Sequence, residues 1–226
     1  RNKNKGEIMG NGDRNLDPEH TNPEDLLEEV LCRYAGAVDQ PGRSQVEKEA
    51  WAHFGSEGAV FISDMSGFSR TTRAQGICHF LALIRVVRPV VASAVGRHGG
   101  LLLKCETDNC YAFFAEVDPA IAAAVEINQA LRELSRSETG LGKIEISIGI
   151  DFGPLLLIGE VEYYGDPVNT ASKLGEDLGG ESEILITDRA MARATVEFGQ
   201  TAKKHRTQIS GIEIDYACVD MSDSKN

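Results

Sequence analysis

From Gly58 onward the chain reads as strand, long helix, strand–turn–strand, helix, strand, an order that few folds accept. Gly58–Ser63 is short, apolar and β-branched, as a buried strand should be, and it ends at Asp64. Ser69 opens a helical stretch, and Ile77–Val95 continues as a long amphipathic helix. Phe80, Leu83, Ile84, Val87, Val91 and Val95 keep helical spacing there and are expected in the core. Pro89 predicts a kink or break. Residues 101–106 and 110–114 read as two strands around the turn Thr107-Asp108-Asn109, because Asp and Asn tolerate left-handed backbone. In the second helix Asp118 reads as the cap and Pro119 as the first position, followed by the stripe Ile121, Val125, Leu131 and Leu134. Lys143–Asp151 alternates as a strand, and Leu155–Ile158 resumes after a Gly153-Pro154 turn. The expected fold is α+β, a ferredoxin-like βαββαβ core with extra strands and helices. Pro167–Leu178 and Asp188–Thr195 are expected helices, and Gln208–Val219 a hairpin turning near Gly211.

Around this unit the composition changes. Residues 1–21 are polar and expected to be disordered. Residues 22–55 begin with Asn22-Pro23-Glu24-Asp25, a helix start, and carry Leu26, Leu27, Val30 and Leu31 at helical spacing. They fit a connecting helix or one packed on its own domain equally well. Residues 56–220 form the main domain, and 221–226 a tail.

A net charge of −12 and a pI near 4.9 argue against a nucleic-acid surface, which needs a basic stripe. A nucleotide remains compatible, since metal ions and a few local cations offset its phosphates. The five cysteines are odd in number and lack Cys-x-x-Cys spacing, so they are expected as reduced, partly buried thiols. No signal peptide is recognisable, and Ile77–Val95 contains His79, Arg85, Arg88 and Pro89, which argues against a membrane span. The expected setting is the cytoplasm, as a whole protein or as the cytoplasmic part of a longer one.

Asp64 ends the first strand, Gly67 lets the backbone pass close to a ligand, and Phe68 anchors the turn. An acid followed by a glycine turn into a helix start suits a metal and a phosphate together. An ordinary capping Asp is the alternative. Asp108 is the second strand-end carboxylate, and two such acids separated by a long helix suit a two-metal site for Mg²⁺ or Mn²⁺.

Three segments resemble the class III nucleotidyl cyclases, the adenylyl and guanylyl cyclases, over about Gly58 to Val219. Asp64-Met65-Ser66-Gly67-Phe68-Ser69 is similar to the family's Asp-Ile-x-Gly-Phe-Thr. Lys104-Cys105-Glu106-Thr107-Asp108 is similar to Lys-Thr-x-Gly-Asp, with Thr in place of Gly. Gly165-Asp166-Pro167-Val168-Asn169-Thr170-Ala171-Ser172-Lys173 is similar to Gly-x-x-Val-Asn-x-Ala-x-Arg. The resemblance implies a homodimer with shared active sites and ATP converted to 3′,5′-cyclic AMP and pyrophosphate. Asp64, the Met65 carbonyl and Asp108 of one protomer would hold two Mg²⁺ or Mn²⁺ ions. The N–H groups of Ser66, Gly67, Phe68 and Ser69 would cradle the phosphates. The partner protomer would supply Lys104 and Glu162 to read the base, Asn169 to orient the ribose and Lys173 to stabilise charge on the α-phosphate.

A donor beside an acceptor fits adenine, although cytosine offers the same polarity and a solvated role for either residue stays open. The chain departs from the pattern at Lys173, Ser147 and Ser210, where the family carries Arg, Arg and Lys. Each change removes a phosphate contact or its bidentate fork. Lys203, Lys204, His205 and Arg206 either compensate or form a solvated loop. The alternative to an active cyclase is a weak or inactive nucleotide-binding module that dimerises and regulates, or a cyclase using another nucleotide.

Overall fold

A computed structural model describes residues 22–136, 141–195, 202–209 and 211–220, with only the backbone given for Phe68, Ser69 and Asp220. Ser210, the polar segment 1–21 and the tail 221–226 lie outside the described residues.

The βαββαβ order holds. β1 (Gly55–Met65) leads through α3 (Phe68–Gln75) and α4 (Ile77–Arg97) to the hairpin β2 (Leu101–Glu106) and β3 (Asn109–Phe114). α5 (Val117–Arg136) then returns to β4 (Ile146–Ile158). These four strands lie in the order β2-β3-β1-β4, with β1 antiparallel to both neighbours. After β4 come β5 (Glu162–Tyr164), α6 (Asp166–Ser172), a π-helical turn over Lys173–Leu178, and β6 (Glu183–Thr187). The short α7 (Asp188–Met191) and the hairpin β7 (Ala202–Ile209) and β8 (Ile212–Asp220) complete the described chain. β6 joins parallel to β4, and β8 and β7 extend that edge, while β5 folds back on β4.

α4 and α5 cover one face of the sheet. Phe80, Leu83, Ile84, Val87, Val91 and Val95 are all buried there with Phe61, Phe114 and Ile148. α4 is the one helix among the described residues long and apolar enough to cross a membrane, and that stripe packs it on the sheet. It runs on through Pro89 without a break. Burial of Val87 and Val91 on either side of the proline outweighs the missing hydrogen bond, which costs about 3 kcal/mol in an isolated helix.

Several local expectations need correction. Gly153-Pro154 is no turn: β4 is one strand of 13 residues, and Pro154 pairs opposite Glu57 of β1 with its ring exposed. β4 starts at Ile146 rather than Lys143. α5 starts at Val117, so Asp118 lies inside the first turn and its carboxylate accepts from Thr195 N–H (2.8 Å) and hydroxyl. The helix expected at Asp188–Thr195 is one turn long. Lys203–Arg206 belong to the edge strand β7, where Arg206 pairs with Asp215 at 2.5 Å and His205 stacks on Tyr216. Charged side chains on such an edge oppose pairing with other chains.

The thiol expectation also changes. Cys105 and Cys110 face each other across β2 and β3 and form a disulfide, with Cα atoms 4.1 Å apart. Hairpin closure brings into register two cysteines whose spacing resembles no familiar motif. Cys32 and Cys78 are exposed and Cys218 is buried, all three outside this disulfide.

Residues 22–55 form two helices, α1 (Pro23–Gly36) and α2 (Gln40–Phe54). They pack through Val30, Val46 and Ala50 and join by an Arg33–Glu49 ion pair of 2.5 Å. Pro23 lies against Gly159 in the β4–β5 turn, and α2 passes directly into β1, so Gly55 is already strand.

Candidate active site

The two carboxylates sit where strand ends place them. Asp64 is the penultimate residue of β1 and pairs with Ser147 of β4. Asp108 follows Thr107 in the β2–β3 turn, where Thr107 takes φ +48° in place of the glycine that turn would favour. Arg88 of α4 donates to the Thr107 carbonyl at 2.7 Å and ties the turn to the helix layer. Burial pushes the Asp64 carboxyl up from 3.8 to about 7, helped by the negative charges of Asp108 and Glu176. The three acids therefore share one field.

β1 passes through Ser66 and Gly67 into α3. Gly67 takes φ +86° at the cap position, a left-handed conformation that favours glycine. The Ser66 N–H is already donated to the Glu145 carbonyl at 3.1 Å, which leaves the Gly67–Ser69 stretch at the helix start for an anion. The Ser66 hydroxyl is buried without a hydrogen-bond partner. The Phe68 and Ser69 side chains lie outside the described residues.

Lys104 and Glu162, 58 residues apart in sequence, meet directly. The Lys104 ammonium donates to Glu162 Oε2 at 2.7 Å, pairs with Glu106 at 3.3 Å and lies 5.1 Å from the centre of the Tyr111 ring. Its hydrogen bond to Glu162 raises the lysine pKa above its ordinary value. A register shift in β2 between Leu102 and Lys104 puts Lys104 opposite Tyr111, and β5 pairing to β4 delivers Glu162.

Asn169 is exposed on α6 and Lys173 caps that helix, its backbone N–H donating to the Asn169 carbonyl, so the two remain one turn apart. Beyond Lys173 the chain widens into the π turn. Gly149 of β4 permits this: a Cβ there would lie 2.1 Å from the Ala171 carbonyl oxygen. Ser147 is buried, and its hydroxyl donates to the Gly175 carbonyl at 2.6 Å. The residue standing where the family has an arginine therefore anchors the π turn and presents no charge.

Three contributors escaped sequence reading. Glu176 accepts from Asn109 Nδ2 at 2.9 Å and lies 3.5 Å from the Tyr111 hydroxyl, bridging the π turn to the hairpin. The π turn aims this glutamate, and a helical reading of Pro167–Leu178 gives it no role. Arg88 reads as an interruption of an apolar helix. Arg189 clamps the fully buried Asp151 through two bonds, one of 2.6 Å, and reaches Asp166 at 2.6 Å, fixing the start of α6. Nothing local pairs residues 38 apart.

No protein-family model and no curated protein matches the chain. Among solved structures it is similar to the catalytic core of a rhodopsin–guanylyl cyclase with converted specificity in complex with ATPαS. That match has 20% identity and a TM-score of 0.62, over 74% of this chain and 97% of the other. It is also similar to the guanylyl cyclase Cya2 (21%, TM-score 0.62, 76% and 96%). A third match is an adenylate/guanylate cyclase/hydrolase from Silicibacter pomeroyi (22%, TM-score 0.62, 74% and 97%). At these identities the likeness is one of fold: this chain has the architecture of the class III cyclase catalytic domains.

Proposed function

We propose that this domain is a nucleotidyl cyclase that converts ATP to 3′,5′-cyclic AMP and pyrophosphate, working as a homodimer with sites shared between protomers. The observation that carries the reading is the convergence of two carboxylates, Asp64 and Asp108, from two separate strand ends of a cyclase-like fold, where burial and then the Asp108 charge raise the Asp64 carboxyl.

The donor set fits a hard divalent cation. Asp64, Asp108 and the Met65 carbonyl offer oxygen ligands, and burial together with the neighbouring Asp108 and Glu176 charges raises the Asp64 carboxyl, a penalty that a bound cation would relieve. Mg²⁺ or Mn²⁺ held there would acidify the ribose 3′-hydroxyl and neutralise the triphosphate. The chain's own contribution is placement. The Gly67–Ser69 backbone takes the phosphates. Lys104 donates to adenine N1, and Glu162 accepts from the exocyclic amine. Asn169 orients the ribose, and Lys173 meets charge on the α-phosphate. The Lys104–Glu162 pair supports adenine: the two groups are adjacent, one donor and one acceptor, and guanine presents the opposite polarity. Incubating the protein with Mn²⁺ and each of ATP, GTP, CTP and UTP tests the reaction. A cyclic product from ATP is expected, and none from any nucleotide despite binding refutes it.

One observation favours a second reading, a weak or inactive regulatory module. Ser147 is turned inward onto Gly175, so its position supplies no phosphate cation. The nucleotide panel separates this reading through turnover against binding.

Two substitutions refine the proposal. Lys104→Glu places two carboxylates against the base and is expected to lower kcat/KM for ATP by about tenfold or more, the worth of one misplaced hydrogen bond to a charged group. Unchanged ATP kinetics would remove Lys104 from the pocket. Asp64→Ala and Lys173→Ala are each expected to be inactive alone, while their mixture recovers part of the activity. Half of the mixed dimers' sites would combine an intact metal half with an intact partner half. No recovery in the mixture, with dimers confirmed, counts against shared sites.

A further inference from the structure

The disulfide lies between two residues on which the proposed function depends. Lys104 immediately precedes Cys105, and Asp108 lies inside the loop that the Cys105–Cys110 bond closes. The enclosed turn holds Thr107 at φ +48°, where a non-glycine residue needs outside support. The structure supports it through the Arg88 hydrogen bond to the Thr107 carbonyl, the hydrogen bond of 2.9 Å from the Asn109 side chain to Glu176, and the sulfur link between the strands. The two sulfurs differ in access. Cys110 is 1% exposed within the main core, while Cys105 is half-buried at the edge strand β2.

We propose that the Cys105–Cys110 pair is a redox modification site at which exchange with small-molecule thiols sets how firmly the Asp108 turn is held. The thiolate of a thiol such as glutathione attacks Cys105 Sγ, the S–S bond breaks, and Cys110 leaves and takes up a proton. A second thiol attacks the mixed disulfide, releasing the small-molecule disulfide and the Cys105 thiol. Two electrons pass from two small thiols to the protein, and a small-molecule disulfide reverses both steps. The link removes open states of the hairpin, so the oxidised form keeps Asp108 in place and the reduced form relies on the Arg88 and Glu176 hydrogen bonds alone. Cyclic-nucleotide formation responds only if the cyclase reading holds; the exchange chemistry and the hairpin's protection stand apart from it.

The test uses the whole chain with Cys32→Ser and Cys78→Ser, which removes the two exposed thiols from the exchange. The protein is equilibrated in glutathione couples of stepped ratio, acid-quenched, alkylated and digested, and amide exchange over residues 101–114 is followed in parallel. A linked Cys105–Cys110 peptide is expected under oxidising couples, disappearing in one two-electron transition. Amides of the hairpin should exchange about tenfold more slowly in the oxidised form, and product formation with Mn²⁺ and ATP should be severalfold higher. The Cys105→Ala/Cys110→Ala variant should behave as the reduced protein at every ratio. Alkylation of both cysteines under all couples, equal hairpin exchange in the two forms, or a redox response retained by the alanine variant overturns the proposal. If no nucleotide is cyclised while hairpin exchange follows the linkage, the redox site stands and the cyclase reading falls.

Discussion

Asp64→Asn is expected to abolish nucleotide cyclisation and at the same time stabilise the metal-free protein above neutral pH. The activity loss should reach at least about a thousandfold, because the amide supplies no charge for a cation and several kcal/mol of charge stabilisation go with it. The stability gain follows from the shifted carboxyl. Its folded pKa of about 7 stands above the ordinary 3.8, so below about pH 4 it is neutral in both the folded and unfolded chain and contributes no difference. As pH rises through the window between these values, the unfolded chain releases its proton and the folded chain keeps it. Folding is penalised progressively, and the full penalty is present above pH 7. The variant should therefore melt above the wild type at pH 8, and the two should converge near pH 4. The same proton must leave when a cation binds. Apparent Mn²⁺ affinity should thus rise about tenfold per pH unit below 7 and level off above it. Calorimetric melting without metal and Mn²⁺ titration across pH measure both. A variant that melts below the wild type at pH 8 would contradict the electrostatic account.

Arg189→Ala is expected to cost about 3 kcal/mol of stability, roughly 6–12 °C in Tm for a domain of this size. Asp151 is completely buried, and its carboxylate also accepts from the Phe152 N–H at 2.8 Å and from the Thr187 hydroxyl. Removing the guanidinium leaves that charge without its counterion inside the protein, which costs more than the pair's own net worth. The penalty should shrink when Asp151→Asn is combined with it. Arg189 also holds Asp166 at the start of α6, the helix that bears Asn169, so turnover should fall even where the variant remains folded. Urea unfolding of the single and double variants gives the coupling energy. A loss for Arg189→Ala below about 1 kcal/mol would place the pair among ordinary surface ion pairs.

Much of the core was legible because it repeats simple periods. The stripe from Phe80 to Val95 announced α4, and Gly58–Asp64 announced β1, since apolar spacing reports a buried face directly. Turn chemistry located Thr107–Asn109 for the same local reason. β6 was not read at all: Glu183–Thr187 is five residues long and reads no differently from a buried helical turn until β4 and β8 flank it. Gly153-Pro154 looked like a turn because both residues favour turns alone. Continuous pairing with β1 overrides that preference.

The chain alone determined the order of its elements, the two strand-end acids and the cyclase-like motifs, all of which reside in neighbouring residues. Tertiary structure decided what those residues meet. Lys104 faces Glu162 only because β5 folds back on β4, and Asp64 feels Glu176 only because a π turn widens over Gly149. Ser147 spends its hydroxyl on Gly175, Asp151 finds Arg189, and two cysteines with no telling spacing become a bond. Hydrogen bonds, fields and disulfides act over a few ångströms of space, and folding rather than sequence distance sets which groups come that close.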